Sequence, residues 1–371
     1  MTSRERLQRA LLREPTDRVP VSTYELVGFN SKAFENREPS YRRLMDAVRA
    51  KSDCVAMVEP SSNETFLCSA HPVEMEVEER TEDGRRIVRR ILHTPLGELT
   101  STVETIQGVV TSWTTEHWCK TPEDVDRALS VPYVPLRYDF SEVRRVRAEV
   151  GERGIVMTSL VDGLLLAAEL MEFGDFTVWA TTEPEHFERT LRILHERNLE
   201  NVRRMLQDEV VDLYRICGPE YATPPYLPPS RFRELVTRPD SELVDPIHAA
   251  GSKARLHCHG RIGRVLEAIA DTGADALDPC EPPPDGDVAL EEVKRRVGHR
   301  MCLFGNLELR LLEMSEPAEV RAAVRRCMEQ AKAGYGYVLM PTAAPIGIPL
   351  PRRTEENYLA FLDAAEEYGA Y

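Results

Sequence analysis

The sequence predicts an α/β protein and, within that class, a (β/α)8 TIM barrel. From about residue 140 onward, short apolar segments typical of buried strands alternate with amphipathic helical patterns. This alternation predicts a parallel sheet covered by helices, either an open doubly wound sheet or a closed barrel. Two earlier strand candidates bring the count to about eight, as in a barrel, and residues 1–371 suffice for one barrel domain with insertions.

The predicted elements follow one another along the whole chain. The segment SRERLQRALLRE has the period of an amphipathic helix and ends at Pro15, after which DRVPVSTYEL predicts a first strand. YRRLMDAVRAK predicts a helix that leads into a second, buried strand, CVAMVEP. The remaining strand candidates are GIVMTSLV from residue 154, VVDLYRIC from 210, KARLHCHG from 253, DALDPCE from 275, RMCLFGNL from 300 and GYVLMPT from 336.

Residues 73–105 depart from this alternation of strand and helix. The stretch VEMEVEERTEDGRRIVRRIL alternates in polarity on both sides of Asp83-Gly84, which predicts a β-hairpin. We expect an inserted antiparallel segment that overhangs the mouth of the barrel. There it would help to enclose the cavity or meet a partner protein.

Composition and charge narrow the classes of function. Hydrophobic residues make up 42% and charged residues 29% of the chain, which is typical of a soluble globular protein. The net charge of -15 is spread along the sequence and disfavours a nucleic-acid surface. No apolar stretch is long enough for a membrane span, and the N-terminus has no secretory signal. Eight scattered cysteines fit a reducing compartment, so we expect a cytoplasmic protein.

The stretch RLHCHGRI, residues 255–262, contains three potential metal ligands in a row. On an extended strand alternate side chains share a face, so Arg255, His257 and His259 point to one side. Cys258 points to the opposite, helix-covered side and is not a predicted ligand. The two histidines suit either a metal site or a structural role in which neighbouring strands satisfy their ring nitrogens.

Glu281 follows the next predicted strand, in the sequence DPCEPPPDG. The adjacent prolines hold this carboxylate on a rigid, extended loop at the same end of the sheet. Two imidazoles and one carboxylate are a suitable set of three zinc ligands, and they leave the fourth coordination position open. His257, His259 and Glu281 are therefore the predicted metal ligands, with Cys280 as an alternative to Glu281.

Further polar side chains follow other predicted strands at the same end. Asp162, Glu220 and Tyr221 are candidates for the acid, the base or an orienting group of a reaction. Tyr24, after the first strand, and Asn306, at the end of LFGN, are candidates for contacts with a cofactor. Each of these residues also suits a loop-capping or backbone role.

Seven motifs span nearly the whole chain. They are EPTDRVPV, HTPLGELT, EHWCKTPEDVD, HAAGSKARLHCHG, DTGADALDPCEPP, LFGNLE and PLPRRTEENYLAFLDAA, in this order. With these motifs the chain resembles the uroporphyrinogen decarboxylase-like superfamily, and the resemblance implies its barrel fold. That superfamily contains uroporphyrinogen decarboxylases and also zinc methyltransferases that demethylate methylated corrinoids.

The sequence departs from both branches of the superfamily. Uroporphyrinogen decarboxylases carry an Arg-Gln-Ala-Gly-Arg segment whose arginines bind the substrate's carboxylates, whereas the equivalent STYELVGFNSKAF contains no arginine. Zinc methyltransferases use a His-x-Cys pair and a later cysteine. Here His257 and His259 occupy the pair, and the later stretch MPTAAPIGIP has no cysteine. The interval from His259 to Glu281 is similar to the Cys-to-Glu interval of cobalamin-independent methionine synthases.

The resemblance implies a zinc-dependent methyltransferase that moves a methyl group between a small substrate and a corrinoid or tetrahydrofolate carrier. A corrinoid protein is then an expected partner, and a homodimer an expected assembly. Two histidines and a carboxylate leave zinc more Lewis acidic than thiolates do, which favours an oxygen- or nitrogen-bound methyl group.

Two alternatives stay open. One is a cofactor-independent decarboxylase in which the histidines bind a substrate carboxylate. The other is a barrel that binds a corrinoid or tetrapyrrole without catalysis. The many ionisable residues at one mouth disfavour this second alternative, because ligand pockets are mostly apolar.

Overall fold

The computed structural model describes residues 1–371 and centres on a curled sheet of seven parallel strands. The parallel sheet has the spatial order β1-β8-β9-β10-β11-β12-β13, and all strands are numbered along the chain. They are β1 (Cys54–Met57), β2 (Ser61–Ser62), β3 (Glu74–Glu82), β4 (Arg85–Thr94), β5 (Gly97–Ile106), β6 (Ser112–Glu116), β7 (Tyr138–Asp139), β8 (Gly154–Val161), β9 (Leu213–Cys217), β10 (Lys253–His257), β11 (Ala276–Asp278), β12 (Cys302–Leu307) and β13 (Tyr337–Pro341). The predicted α/β class is confirmed.

Helices connect the parallel strands, and most of them cover the convex side of the sheet. They are α1 (Ser3–Leu11), α2 (Phe34–Arg37), α3 (Arg42–Lys51), α4 (Pro122–Leu129), α5 (Ser141–Val150), α6 (Gly163–Leu170), α7 (Phe173–Thr182), α8 (Pro184–Asp208), α9 (Pro229–Phe232), α10 (Arg238–Ala249), α11 (Leu266–Ala270), α12 (Leu290–Val297), α13 (Leu309–Met314), α14 (Pro317–Ala331) and α15 (Arg352–Tyr368). None of them combines the length and the apolar composition that crossing a membrane requires.

The predicted first strand is reduced to a single bridge. Val21 pairs in parallel with Leu339 of β13, and Ser22 N–H donates to Leu339 O at 2.9 Å. On the other side, Asp53 N–H donates to Val21 O at 2.7 Å, so this segment lies between β13 and β1. Pro20 has no N–H with which to extend the ladder. The sheet therefore has seven strands and one bridged segment where the sequence predicted eight strands.

The two faces of the sheet bury different sets of side chains. On the convex side, Ala254, Leu256 and Cys258 of the β10 region pack in the large core with the helices, as the alternation predicts. A separate apolar cluster fills the concave side. It contains Leu7, Ala10 and Leu11 of α1 together with Val55, Ile155, Met157, Leu213, Ala276, Cys302, Phe304, Val338 and Met340. Helix α1 thus closes the end of the concave side where the strands begin.

A second, antiparallel sheet of four strands has the order β3-β4-β5-β6. Asp83 and Gly84 form its first turn with φ angles of 48° and 75°, as the predicted hairpin requires. The sheet extends beyond residues 73–105 because β5 pairs onward with β6, as far as Glu116. The predicted hairpin is therefore half of a larger antiparallel sheet.

The turn between β5 and β6 reaches the loop that follows β13. Val110 N–H donates to Ile346 O at 3.1 Å, and Ile348 N–H donates to Gly108 O at 2.9 Å. Because this loop leaves the carboxyl end of the last strand, the antiparallel sheet adjoins the open end of the concave side.

Candidate functional site

Charged side chains meet on the concave side at the carboxyl ends of β9, β10 and β11. In the β9–β10 ladder Arg215 lies opposite Arg255, and in the β10–β11 ladder His257 lies opposite Asp278. Residues that face one another in neighbouring strands project to the same side of a sheet. The strand register thus assembles a buried group of two arginines, one histidine and one aspartate, which we call the ion cluster.

Arg215 connects the ion cluster to the segment after the bridged Val21. Its Nη2 donates to Tyr24 Oη at 2.6 Å and to His257 Nε2 at 2.9 Å. The guanidinium carbon also lies 5.1 Å from the centroid of the Tyr24 ring, in a cation–π arrangement. Glu25 Oε1 is 3.9 Å from Arg215 Nη1. The Glu25 side chain is 46% exposed, so it marks the solvent side of the cluster.

Asp278 is the one fully buried carboxylate of the ion cluster. Its Oδ2 accepts a hydrogen bond from His257 Nδ1 at 2.9 Å, and its Oδ1 lies 3.0 Å from Arg255 Nε in an ion pair without hydrogen-bond alignment. Burial acts to raise the pKa of Asp278, but the charge of Arg255 and the interaction with His257 hold it well below its usual range. Two guanidinium groups therefore face one ionised carboxylate.

The positive charge of the cluster is incompletely satisfied. Arg215 Nε and Arg255 Nη1 are buried without a hydrogen-bond partner in the protein. Buried polar groups are normally paired, and an uncompensated buried charge is strongly unfavourable. The protein alone therefore leaves N–H groups of both guanidinium groups without an acceptor.

His257 is neutral at physiological pH. Burial lowers its pKa to about 4, although the charge of Asp278 acts in the opposite direction. The hydrogen-bond network sets the tautomer, because Nδ1–H donates to Asp278 and the lone pair of Nε2 accepts from Arg215. The imidazole therefore links the arginine to the aspartate through both of its nitrogens.

His259 stands nearer to solvent, with a side chain that is 36% exposed. Its Nδ1 lies 2.7 Å from Glu281 Oε1, and Gly260 N–H donates to Glu281 Oε2 at 2.6 Å. Burial acts to lower the pKa of His259, but the hydrogen bond with Glu281 raises it, and the same bond contributes to a lowered pKa of Glu281. The two residues form an ion pair at the carboxyl ends of β10 and β11. Their proximity agrees with the prediction that Glu281 lies at the same end of the sheet as His259.

A zinc ion would require lone pairs of His257, His259 and Glu281 to converge on one position. His257 Nε2 instead faces the guanidinium of Arg215, and His259 Nδ1 faces Glu281. No group of three or more His, Cys, Asp or Glu side chains is arranged to hold a metal ion. These residues, as they are arranged, do not fit a zinc site, and zinc ligation stays a prediction.

The candidate cofactor contacts separate into one residue at the mouth and one away from it. Tyr24 reaches Arg215 and the ion cluster. Asn306 is buried, and its amide donates to Cys280 O at 2.8 Å while its Oδ1 accepts from the thiol of Cys327 on α14. Asn306 thus holds the backbone in place. Cys280, the alternative ligand, is fully buried in the convex core and does not face the mouth.

The three candidate catalytic residues lie behind the strand ends. Asp162 is buried, and its Oδ1 accepts the N–H of Leu165 at 2.8 Å, so it is the N-cap of α6. Glu220 Oε2 accepts the N–H of Gly218 at 3.0 Å, and burial raises the pKa of this carboxyl. Tyr221 packs edge-on against Phe173, and burial raises its pKa to about 12.

Several residues of the site were absent from the sequence-based candidates. Arg215 and Asp278 are the main omissions, together with the role of Arg255. The signal was available, because each is a charged residue inside an otherwise apolar strand, and buried charges need partners.

Comparison with known proteins relates the chain to one enzyme family. Over 110 residues it is 34% identical to the uroporphyrinogen decarboxylase of Shewanella loihica, and over 74 residues 43% identical to that of Ralstonia pickettii. These matches cover 29% and 20% of this chain and 29% and 18% of the relatives. The chain thus matches less than a third of the length of either relative.

The fold and a family model agree with this relationship. A methyltransferase from Methanosarcina mazei aligns over 99% of both chains with a TM-score of 0.63 and 18% sequence identity, which shows a shared fold. The family model described as uroporphyrinogen decarboxylase (URO-D) matches residues 86–368, more than half of the chain. This protein therefore belongs to the uroporphyrinogen decarboxylase family.

Proposed function

We propose that this protein is a carboxy-lyase that removes CO2 from a small substrate with at least two anionic groups. The observation that carries the proposal is the positive charge of the buried ion cluster, in which two guanidinium groups face one buried carboxylate and the second nearby carboxylate, Glu25, is half-exposed. An anionic group bound at Arg215 would compensate this charge. Arginine is well suited to this role because its guanidinium donates paired hydrogen bonds to carboxylates.

The same proposal includes the complete barrel. We infer that residues 20–22 serve as the eighth strand and close the curled sheet into a (β/α)8 barrel. The ion cluster would then lie at the carboxyl-end mouth, where enzymes of this architecture bind their substrates.

In the proposed reaction, the bond between the departing carboxylate and its neighbouring carbon breaks. The electron pair stays on the substrate, CO2 leaves, and a proton is added to the carbon that carried it. The substrate must therefore contain its own electron acceptor, such as a carbonyl or a heteroaromatic ring next to that carbon. The group held by Arg215 is the second anion, because tight binding of the departing carboxylate would stabilise the ground state. Glu220, with its raised pKa, serves as the proton donor.

Binding and turnover together test this function. Small dicarboxylates such as malonate and phthalate should raise the melting temperature of the protein more than acetate or benzoate. A ligand at 100 times its Kd stabilises a protein by about 2.7 kcal/mol, which is readily measured. Arg215→Met should lose the effect, and the surface variant Arg86→Gln should keep it. Release of labelled CO2 from a carboxyl-labelled panel then identifies the substrate. Equal stabilisation of Arg215→Met and wild type would contradict the proposal.

Uroporphyrinogen is not the proposed substrate. The segment after the bridged Val21 contributes Tyr24 and Glu25 to the site and contains no arginine for an octa-acid. We expect no coproporphyrinogen in an assay in which a uroporphyrinogen decarboxylase produces it. Clean conversion would show that other arginines, among them Arg215, replace the missing segment.

Zinc-dependent methyl transfer is the second candidate, with a corrinoid or tetrahydrofolate as the methyl carrier and a corrinoid protein as partner. It is favoured by the His257 and His259 rings, whose centroids are 4.4 Å apart, and by the pairing of His259 with Glu281. It would require Arg215 to release His257 Nε2. Elemental analysis of protein purified without chelators or a histidine tag separates the candidates. Stoichiometric zinc that is lost in His257→Ala and kept in Cys258→Ala would support methyl transfer.

A further inference from the structure

A tight turn presents two consecutive side chains to Arg215. Leu26 N–H donates to Thr23 O at 3.1 Å, and the Thr23 hydroxyl donates to Leu26 O at 2.8 Å. Tyr24 and Glu25 are therefore the central residues of a β-turn, and both reach the guanidinium of Arg215. On an extended chain two consecutive side chains would point to opposite sides. The turn is what brings this pair to one group.

The backbone of Tyr24 is unusual for an aromatic residue. Its φ of +56° lies in the left-handed region, and glycine, asparagine and aspartate are the residues that normally occupy such a turn position. Strain of this kind persists only where the surrounding structure holds it, and it is concentrated at functional sites. The turn thus keeps a phenol where glycine would be less strained, which indicates that the side chain itself has a role.

Tyr24 offers a hydrogen-bond donor beside the guanidinium. Its hydroxyl oxygen accepts from Arg215 Nη2 at 2.6 Å, and its hydroxyl hydrogen has no acceptor within the protein. Burial raises the pKa of Tyr24 well above its usual range, although the charge of Arg215 acts in the opposite direction, so the hydroxyl stays protonated. The phenol can therefore donate one hydrogen bond to an anion at this position.

Glu25 offers an acceptor at the other terminal nitrogen of Arg215. Its Oε1 is 3.9 Å from Nη1, too far for a direct hydrogen bond, and its side chain is 46% exposed. The same nitrogen donates to the sulfur of Met57 at 3.5 Å, which is a weak acceptor. Burial raises the pKa of Glu25, and in either protonation state one carboxyl oxygen remains an acceptor. A ligand at Nη1 therefore meets two donors and one acceptor.

We propose that the group held beside Arg215 is a 2-hydroxycarboxylate. Its carboxylate accepts from Arg215 Nη1 and from the Tyr24 hydroxyl, and the hydroxyl on its neighbouring carbon donates to Glu25. A carboxylate without this hydroxyl would face the acid with nothing to donate, and like charges in contact are unfavourable. An ammonium in place of the hydroxyl would lie beside a buried guanidinium, where a second cation is unfavourable. This inference rests on the proposed function and specifies the anion that stays when CO2 leaves.

Three dicarboxylates of one carbon skeleton test the inference. Succinate, malate and aspartate differ only in the hydrogen, hydroxyl or ammonium on the carbon next to one carboxylate. Isothermal titration calorimetry of the wild type should give one enantiomer of malate a Kd about 10 to 100 times lower than that of succinate, because succinate lacks the hydrogen bond to the charged acceptor. Aspartate should bind no more tightly than succinate.

Two variants separate the roles of the two side chains. Glu25→Met removes both acceptor oxygens, so malate and succinate should bind with equal affinity. Tyr24→Phe keeps the ring over Arg215 and removes the donor, so both ligands should weaken by about tenfold or more while their ratio stays the same. The matched controls are Glu59→Met, at an exposed acid after β1, and Tyr226→Phe, at a 47%-exposed tyrosine, and both should bind as the wild type does.

A spectroscopic signal distinguishes hydrogen bonding by Tyr24 from a structural role. Donation from a phenol to an anion shifts its ultraviolet absorption to longer wavelength. The difference spectrum on addition of malate should show this shift in the wild type and in Tyr226→Phe, and it should be absent in Tyr24→Phe. Melting temperatures of the free variants show whether each one is folded. The wild-type comparison of malate with succinate requires no variant, so it tests the inference even if one variant does not fold.

The outcomes separate this inference from the proposed function. Equal affinities of the wild type for malate and succinate, or an unchanged ratio in Glu25→Met, would overturn the 2-hydroxycarboxylate. An unchanged Kd in Tyr24→Phe would overturn the role of its hydroxyl. In each of these cases, loss of binding in Arg215→Met would still support the proposed anion site. A wild-type protein that binds none of the three dicarboxylates would contradict the proposed function and this inference together.

Discussion

Two regions of this molecule pair arginines with carboxylates, and they do so under opposite conditions. On the antiparallel sheet, Arg86 Nε lies 2.7 Å from Glu79 Oε1, and Arg89 Nη1 lies 3.0 Å from Glu78 Oε2. The first of these pairs has side chains that are 58% and 48% exposed. In the ion cluster, Arg255 and Asp278 are 2% and 0% exposed at a similar separation of 3.0 Å.

The comparison shows that the energetic effect of an arginine–carboxylate pair depends on its burial. On the surface sheet Arg86 and Arg89 each have their own glutamate, and water solvates both pairs, so the pairing contributes little to stability. In the ion cluster the side chains of Arg215, Arg255 and Asp278 are buried, so the second guanidinium has little water to compensate its charge. The same residue types form solvated surface pairs in one place and the proposed anion site in the other.

The largest effect is expected for Asp278→Asn. This change leaves Arg255 buried without an anionic partner and Arg215 with only the half-exposed Glu25, and breaking a buried pair from one side costs about 3–5 kcal/mol. Urea denaturation should show this loss of unfolding free energy. The surface variant Glu79→Gln serves as the control. Comparable stabilities of the two variants would remove the contrast between the regions.

A smaller effect is expected for Arg255→Met. Asp278 keeps His257 and Arg215 as partners, and the cluster loses its excess charge, so we expect a change within about 2 kcal/mol. The same urea titration measures it. A loss as large as that of Asp278→Asn would mean that Arg255 alone neutralises the carboxylate.

The smallest effect is expected for Arg86→Gln. Its pair is solvent-exposed and screened by salt, so the melting temperature should match that of the wild type at physiological ionic strength. Differential scanning calorimetry at low and high salt measures it, with Arg89→Gln as a parallel variant. A clear, salt-independent destabilisation would show that the surface pairs contribute more than their exposure indicates.

The periodicity of the sequence predicted most of the fold. Each apolar segment from residue 154 onward became a parallel strand, and strand alternation correctly separated His257 from Cys258. The length of the first strand was overestimated. Its apolar pattern predicts a full strand, but Pro20 lacks the N–H that the next hydrogen bond of the ladder would need. The number of strands in the antiparallel sheet was underestimated. The turn between β5 and β6 does not have the two-residue sequence that marks a hairpin, so β6 was not predicted.

The site was harder to predict than the fold because it depends on register between strands. The alternation placed His257 on the concave face, but it did not indicate that Arg215 lies close enough to occupy Nε2. That contact decides whether the imidazole is available to a metal.

Helix α1 closes one end of the concave side. Leu7, Ala10 and Leu11 seal the end where the strands begin, and Arg4 ties the helix to Asp212 and to Gly154 O beside them. In the proposed closed barrel, substrate and product travel through the same opening in opposite directions. A product molecule that lingers at the mouth blocks the next substrate, so product inhibition should be competitive, and the rate of product departure sets an upper limit on turnover.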